Sequence, residues 1–215
     1  MEQKQRLDPN QIASWTIADF AKKLSSEEPV PGGGSVSALA GTLGAALIAM
    51  YCRLGMLRKG VNSDDQEVLQ KTSIEAESYR TKLTRLITED SLAYTEVMQA
   101  FKLPKGTDEE TRARQLAIQR AFHLAVEIPI ETMNACIECL HLIAEVALIG
   151  NPSAFSDLKV AQYMCQAGAK GAMENVLINL PSIKDQEFVR AMNTKLAKLK
   201  NSLDDFSRHN IEQPA

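Results

Sequence analysis

Residues 32–50 read GGGSVSALAGTLGAALIAM, an uncharged stretch dominated by small side chains. The spacing predicts a helix that begins after Ser35 and runs to about Arg58. Small side chains let neighbouring helix backbones approach closely, so this helix suits the centre of a bundle or a subunit interface. Plain close packing would explain the same composition. The small residues behind this interpretation are Ser37, Ala38, Ala40, Gly41, Gly44, Ala45 and Ala49.

The rest of the chain is also predicted to be helical, because its long segments have helical spacing and no β-branched alternation persists. We predict an all-α fold, an antiparallel helical bundle of about six helices with long central helices, in a single domain over residues 1–215. The other predicted helices cover Ile12 to Leu24, Asp65 to Lys102, Asp108 to Ile149 with a break or kink at Pro129, Asp157 to Leu180, and Lys184 to Asp205, with a polar tail from about residue 206.

The composition argues against a nucleic acid or a membrane as the binding partner. The 215 residues are 45% hydrophobic and 24% charged with a net charge of −3, and no basic run alternates with aromatic residues, so we expect no nucleic-acid partner. No apolar stretch is expected to reach membrane-spanning length, and Val36 to Met50 lies too far from Met1 to be a signal peptide. We therefore expect a cytoplasmic protein with no membrane partner and with reduced cysteines.

Cys136 and Cys139 form a C-x-x-C pair, which suggests a redox or metal site. However, the sequence has no second pair and no alternating strand and helix pattern around this one, and His141 points to another helix face. We interpret the cysteines as ordinary packed thiols and predict no metal site.

Asp90 interrupts an apolar row on the long third helix. Six residues follow one another at steps of three or four and therefore share one helix face. They are Leu83, Ile87, Asp90, Tyr94, Val97 and Phe101. A carboxylate in such a row loses hydration, which raises its pKa toward the range useful for proton transfer. A structural Asp satisfied by an Arg, an Asn or a backbone amide would give the same pattern, so both interpretations stay open.

The run Pro31-Gly32-Gly33-Gly34-Ser35 is a second candidate site. Ser35 is predicted to be the N-cap of the following helix, and the glycines would aim free amides at an anion or a carbonyl group. A tight turn whose glycines merely allow close packing is the alternative. The run is not a phosphate loop, because it lacks the Gly-Lys-Ser/Thr ending and a preceding strand.

Polar residues near helix ends are further candidates. Ser156 or Asp157 is predicted to cap the helix that follows Asn151. Lys59 and Lys105 lie at helix breaks and could hold the carboxylates of an acidic ligand, although such lysines are often solvated or favour helix C-termini.

Asn175 and Asn179 lie four residues apart on one helix face, below Gly168 and Gly171. Two side-chain amides could read the donor and acceptor edge of a heterocycle, or they could tie two helices together. The sequence leaves both possibilities open.

Taken in order, these segments resemble the cyclodeaminase/cyclohydrolase family, which comprises the C-terminal domain of formiminotransferase-cyclodeaminase and its stand-alone bacterial relatives. The resemblance covers nearly the whole chain, and the ordered set is more specific than any one motif. Its segments are Pro29 to Ser35, Asp90 in Glu-Asp-Ser-Leu-Ala-Tyr, Leu103-Pro104-Lys105, Arg112, Ala117 to Gln119, Gly150-Asn151, Ser156-Asp157 and Asn175 to Leu180. The chain departs from the family at Leu54 to Val61, where only the basic pair Arg58-Lys59 is kept.

The resemblance implies an all-helical fold, usually a homodimer, that binds a tetrahydrofolate derivative and needs no cofactor beyond that substrate. It places the catalytic acid on Asp90 and the glycine-rich loop on Gly32 to Ser35. The residues expected to bind substrate are Gly32, Gly33, Gly34, Ser35, Lys59, Lys105, Asn151, Ser156, Asp157, Asn175 and Asn179.

The reaction expected first is that of a 5-formiminotetrahydrofolate cyclodeaminase, which gives 5,10-methenyltetrahydrofolate and ammonia. There N10 loses a proton and the departing nitrogen gains one, and one carboxyl group with a raised pKa can serve both steps. The alternatives are a methenyltetrahydrofolate cyclohydrolase, with water as the nucleophile at the same site, and a catalytically silent helical bundle that binds folate or serves assembly.

Overall fold

The computed structural model describes residues 8–208 and residue 211, and that part of the chain contains helices and no strand. The predicted all-α class is confirmed, as is the prediction of about six helices with long central ones, since the two longest helices have 39 residues each. Short 3-10 helices cover Pro9–Ser14, Pro152–Ala154 and Leu180–Ser182. The α-helices are α1 (Ile17–Leu24), α2 (Gly33–Met56), α3 (Ser63–Phe101), α4 (Asp108–Val146), α5 (Phe155–Asn179) and α6 (Gln186–Arg208).

Helices α2 to α5 form an antiparallel bundle with α2 packed on the other three. The start of α2 contacts the later part of α3, where Ser35 bonds to Ile87, and the end of α2 contacts the beginning of α3, where Gly55 lies against Leu69. The two helices therefore have opposite directions. Helix α5 also runs antiparallel to α2, and α4 lies between α3 and α5.

Glycines let α2 pass close to its neighbours. A Cβ atom at Gly41 would lie 2.6 Å from Cys136 Sγ, and one at Gly44 would lie 2.5 Å from Cys165 Sγ. The thiols fill the space that the glycines leave. Cys136, Cys139 and Cys165 are free and buried, as expected of ordinary packed thiols. The prediction that small residues place this helix at the bundle centre is thereby supported.

The predicted helix from Ile12 to Leu24 is wrong as a single element. It is a 3-10 helix, Pro9–Ser14, followed by α1. Trp15 has an extended backbone, and the Thr16 hydroxyl accepts a hydrogen bond from the Asp19 amide, which starts a new helix. A threonine followed three residues later by an acid is a helix-start signal. The prediction followed the apolar spacing across Thr16 and overlooked this signal.

Helix α4 continues through Pro129, so of the predicted break or kink at this residue the break is wrong. Proline has no amide hydrogen, so the carbonyl of Ala125, four residues earlier, loses its helical hydrogen bond. The side-chain amide of Asn179 on α5 donates to that carbonyl at 3.0 Å instead. A neighbouring helix thus supplies the missing donor.

The start of α5 also differs from the prediction. The helix begins at Phe155 after a 3-10 turn, and the Asn151 side chain accepts from the Ser153 amide at the start of that turn. Ser156 and Asp157 therefore lie inside the helix, and the prediction that one of them caps it is wrong. The chain already turns helically from Pro152 onward, so α5 needs no side-chain cap of its own.

Helix α6 extends to Arg208, so the predicted tail cannot begin at residue 206. The remainder of that tail lies outside the described residues, apart from Ile211.

Helix α2 is long and apolar enough to cross a membrane by length and composition, with a mean hydropathy of 1.6 in its most apolar window. The expectation that no stretch reaches that length is therefore wrong. Its packing against α3, α4 and α5 accounts for the buried part of this composition, because a core helix is selected for the same apolar side chains.

Substitution of Gly168 by alanine tests the close approach of α5 to α2. The new Cβ atom would lie 2.8 Å from the Ser37 carbonyl oxygen and 3.1 Å from the Gly41 amide nitrogen, and backbone atoms of a packed helix cannot move alone. We expect the free energy of unfolding in urea to fall by about 1–3 kcal/mol. Gly106→Ala, which meets only the flexible Glu110 side chain, should change it by less than about 0.5 kcal/mol. Equal effects would contradict the packing argument.

Candidate functional site

A cavity of about 390 Å³ opens at the start of α2, where this helix meets α3, α4 and α5. The volume is within the range of small-molecule sites. The polar side chains in its lining are Asp90, Tyr94, Asn175 and Asn179, and the rest is the Gly32–Gly34 backbone and apolar side chains. The cavity thus combines one acid with two amides and an apolar wall, an arrangement that suits a flat, partly polar ligand.

The carboxylate of Asp90 lies against the first turn of α2. The Ser35 hydroxyl is 2.9 Å from Asp90 Oδ2, and a Cβ atom at Gly34 would overlap the carboxylate. None of Gly32, Gly33 and Gly34 has a positive φ, so the close approach to Asp90, rather than a left-handed backbone, requires the glycine at position 34. The amides at the start of a helix favour a negative charge there.

Burial raises the pKa of Asp90 above its ordinary value, and the hydrogen bonds from the Ser35 side chain and backbone lower it by less. The net effect is a carboxyl group that holds its proton at higher pH than a solvated Asp. Such a group can both give and take a proton closer to neutral pH, which is what general acid–base chemistry needs.

Ser35 does not have the predicted role of N-cap. The N-cap of α2 is Gly32, so Ser35 falls in the first turn of the helix, where its side chain points sideways to α3. Its hydroxyl is fully buried and lies 2.9 Å from each of the Ile87 carbonyl oxygen and Ser91 Oγ. It is absent from the cavity lining, whereas Gly32, Gly33 and Gly34 are part of it.

The predicted apolar row around Asp90 is only partly buried. Leu83, Ile87 and Val97 are buried, but Tyr94 and Phe101 are 41% and 45% exposed. Tyr94 lies one turn beyond Asp90 and lines the cavity. The row therefore emerges from the core at the cavity mouth, which helical spacing alone does not reveal.

Asn175 and Asn179 line the cavity, and both also make structural bonds. The Asn175 amide donates to the Gly171 carbonyl, and the Asn179 amide donates to the carbonyls of Ala125 and Asn175. Asn179 therefore links α5 to α4 and also faces the cavity, so a structural role and a role in ligand binding do not exclude each other at this residue. Their amide nitrogens are engaged in these bonds, so their side-chain oxygens are the groups better placed to accept from a ligand.

Five predicted site residues lie away from this cavity: Lys59, Lys105, Asn151, Ser156 and Asp157 do not line it. Lys59 follows the end of α2, and a helix of 24 residues spans about 36 Å. Asn151, Ser156 and Asp157 are at this same far end, where Arg58 donates to the Gly150 carbonyl. Lys105 is exposed in the loop after α3.

Sequence reasoning missed several lining residues, among them Phe122, Ile128, Pro129 and Ile178. Most are apolar and belong to long helices, so nothing in the sequence separates them from core residues. Pro129 is the exception, because a proline in a helix interior always leaves a carbonyl without its helical partner.

The comparisons with known proteins agree on one family. The family model of formiminotransferase-cyclodeaminase matches residues 16–198. The chain is 39% identical over 176 residues to the methenyltetrahydrofolate cyclohydrolase of Methylorubrum extorquens, a match that covers 80% of this chain and 83% of that protein.

Longer proteins and a solved structure are also similar. The chain is 31% identical over 184 residues to the formimidoyltransferase-cyclodeaminase of Mus musculus, which covers 86% of this chain but 34% of that protein. The crystal structure of formiminotetrahydrofolate cyclodeaminase from Thermotoga maritima matches with a TM-score of 0.81 at 25% identity, over 92% of this chain and 94% of that one.

A double-mutant cycle tests the link between Asn179 and Pro129. Asn179→Ala should lower the free energy of unfolding by about 1–3 kcal/mol, because it leaves the Ala125 carbonyl without a donor. In a Pro129→Ala background the new amide of residue 129 can donate to that carbonyl, so the same change should cost less. Urea denaturation of the four proteins gives the interaction energy, and strict additivity would contradict this account.

Proposed function

The chain belongs to the formiminotransferase-cyclodeaminase family, and on that premise we propose that it acts on the one-carbon unit of a tetrahydrofolate with Asp90 as the acid–base group. The observation that carries the proposal is the position of Asp90, a carboxyl group with a raised pKa in the wall of a ligand-sized cavity. A structural carboxylate would be better served by a cationic partner, and within the described residues the hydrogen bonds to Asp90 come from Ser35.

The first candidate reaction is the hydrolysis of 5,10-methenyltetrahydrofolate to 10-formyltetrahydrofolate. The similarity to a methenyltetrahydrofolate cyclohydrolase over most of both chains favours it. In this reaction Asp90 would accept a proton from the water that attacks the methenyl carbon. It would then return a proton to N5 as the bond between that carbon and N5 breaks. The hydroxyl group on the carbon loses its remaining proton to solvent and becomes the formyl oxygen.

The second candidate is the cyclodeamination of 5-formiminotetrahydrofolate. The likeness in fold to a formiminotetrahydrofolate cyclodeaminase keeps it open. Here the formimino group starts protonated, as its NH2+ form. Asp90 would take the proton from N10 as N10 attacks the formimino carbon, and would give it to the resulting NH2 group, which leaves as ammonia while the positive charge stays on the methenyl product. The two reactions place the same acid beside the same carbon, so the geometry of Asp90 serves both.

The rest of the cavity fits a pterin ring. The side-chain oxygens of Asn175 and Asn179 can accept hydrogen bonds from ring N–H groups, and the amides in the first turn of α2 can stabilise a polar intermediate. Apolar side chains such as Ile128 and Ile178 offer flat contact surface on the other side. No cofactor beyond the folate is part of this proposal.

The reaction is tested by incubating the purified protein with each folate in turn. Accelerated loss of the methenyl chromophore without ammonia supports the hydrolase. Formation of methenyltetrahydrofolate with release of ammonia from the formimino substrate supports the cyclodeaminase. Binding of both folates without turnover would overturn the enzymatic proposal in favour of a silent bundle.

Asp90→Asn should lower kcat by at least about 100-fold, because the amide cannot exchange a proton with the substrate. The protein should stay folded, since asparagine has the same shape and removes a buried charge. The matched control is Glu89→Gln: the neighbouring carboxylate pairs with Arg85 outside the cavity, and its loss should change kcat by less than about twofold. Full activity in the Asp90 variant would remove Asp90 from the mechanism.

We also propose that two copies of the chain pair through the outer face of α2. Residues 32–50 carry no charge, yet Val36 and Leu43 on this helix are 37% and 46% exposed, with Leu47 and Met50 partly exposed beside them. An exposed apolar strip of this kind marks an interaction surface. Leucines alternate here with alanines, so a second copy offers matching ridges and grooves across a two-fold axis.

Leu43→Lys is expected to convert the dimer into a monomer, because it places a charge in the middle of the proposed interface. Sedimentation velocity measures the change. The control is Leu116→Lys, at a more exposed leucine on α4 that is 61% accessible and lies off α2. A monomeric parent protein, or an unchanged dimer in the Leu43 variant, would overturn this interface.

A further inference from the structure

The hydroxyl of Ser35 lies behind Asp90 and has three polar neighbours. The Ile87 carbonyl oxygen, Asp90 Oδ2 and Ser91 Oγ each lie 2.9 Å from Ser35 Oγ. Ser35 and Ser91 are 0% and 2% exposed, and neither lines the cavity. A ligand in the cavity therefore meets Asp90 but not the two hydroxyl groups, which act on it only through Asp90.

The number of hydrogens does not match the number of acceptors around Ser35. A serine hydroxyl has one hydrogen to donate and two lone pairs that accept. The Ile87 carbonyl can only accept, and the ionised carboxylate of Asp90 can only accept. The single hydrogen of Ser35 cannot serve both at once, so the direction of these bonds has to depend on whether Asp90 carries a proton.

We propose that Ser35 is a positioning residue that turns its hydroxyl hydrogen between Asp90 and the Ile87 carbonyl as Asp90 loses and gains its proton. Both protonation states of the acid are thereby held in one geometry. The inference rests on the proposed role of Asp90 as the acid–base group.

Both states can be written with the carboxyl group of Asp90 hydrogen-bonded to Ser35, while the Ile87 carbonyl keeps its helical bond whether or not Ser35 donates to it. When Asp90 is ionised, Ser35 donates to Oδ2 and accepts from the Ser91 hydroxyl. When Asp90 is protonated, its O–H donates to Ser35 Oγ, Ser35 donates to the Ile87 carbonyl, and Ser91 donates to the second lone pair of Ser35. The heavy atoms stay where they are, and only the O–H bond of Ser35 rotates. No proton leaves Ser35 in either state.

In the part of the chain that the structure describes, Ser35 is the residue whose side chain is hydrogen-bonded to Asp90. The first turn of α2 contributes glycines to the lining, α4 contributes apolar residues, and α5 contributes Ile178 and the amides of Asn175 and Asn179. The other titratable group in the lining is Tyr94, on the same helix as Asp90. The bonds from Ser35 are also the influences that lower the pKa of Asp90 against the effect of burial. Loss of the hydroxyl should therefore raise that pKa further.

The test measures the protonation of Asp90 directly in the full-length protein. Carbon-13 NMR of the aspartate carboxyl groups, assigned with Asp90→Asn, gives its pKa without any need for turnover. In Ser35→Ala we expect the pKa to rise by about one unit, since the charge-assisted bond lost from the ionised form is stronger than the bond lost from the protonated form. With folate substrate, kcat should fall about 10- to 100-fold, the acid limb of the pH profile of kcat/KM should move up with the pKa, and KM should change less than about twofold.

Ser37→Ala is the matched control. Ser37 is a buried serine on the same helix, but its hydroxyl donates to the Gly33 carbonyl and not to Asp90, so the pKa of Asp90 should not move. Should Ser35→Ala fail to fold, Ser35→Cys keeps the shape with a weaker donor and should shift the pKa in the same direction.

The two proposals can fail separately. A parent protein without folate turnover overturns the proposed function, while the NMR titration still decides the role of Ser35. An active parent protein whose Ser35 variants keep the pKa of Asp90 and the pH profile of the parent would overturn the switching role of Ser35.

Discussion

The fold depends on how closely the backbone of α2 approaches its three neighbours. Gly41 and Gly44 leave space that two thiols fill, and Gly168 brings α5 against the backbone of α2. The same rule operates at the functional end of the helix, where Gly34 leaves room for the carboxylate of Asp90. The packing of the helices and the position of the Asp90 carboxylate thus have the same requirement, which is glycine at the contact points of α2. A larger residue at any of these positions would separate helices that have to touch.

Much of the architecture could be predicted from the sequence, because long helices with a regular apolar period leave little choice of fold class. The predicted helix bounds were wrong where a local hydrogen bond starts or shifts a helix against the apolar spacing of the sequence. Thr16 starts a new helix within an apolar pattern, and the 3-10 turn at Pro152 moves the start of α5. Pro129 shows the reverse case: a strong local signal for a break is cancelled by Asn179, a residue 50 positions later. Such compensation across helices has no signature within a sequence window.

The candidate site could be predicted in part. Asp90, the glycines and both asparagines meet at one cavity, because α2 begins where α5 ends, beside the later part of α3 and the middle of α4. Lys59, Asn151, Ser156 and Asp157 belong to the opposite end of the same helices. A list of motifs in chain order does not say which end of a helix each one occupies. The contacts between α2 and α5 supply that information, because they show that the start of α2 meets the end of α5.

The order of synthesis has a consequence for α2. All three helices that cover it, α3, α4 and α5, follow it along the chain. At a translation rate of about 5–20 residues per second, roughly ten seconds pass between the emergence of α2 from the ribosome and the completion of its cover. During that interval α2, which has the length and hydropathy of a membrane-spanning helix, lacks part of the cover that it has in the bundle. Its apolar side chains therefore reach their full burial only after α5 has been synthesised.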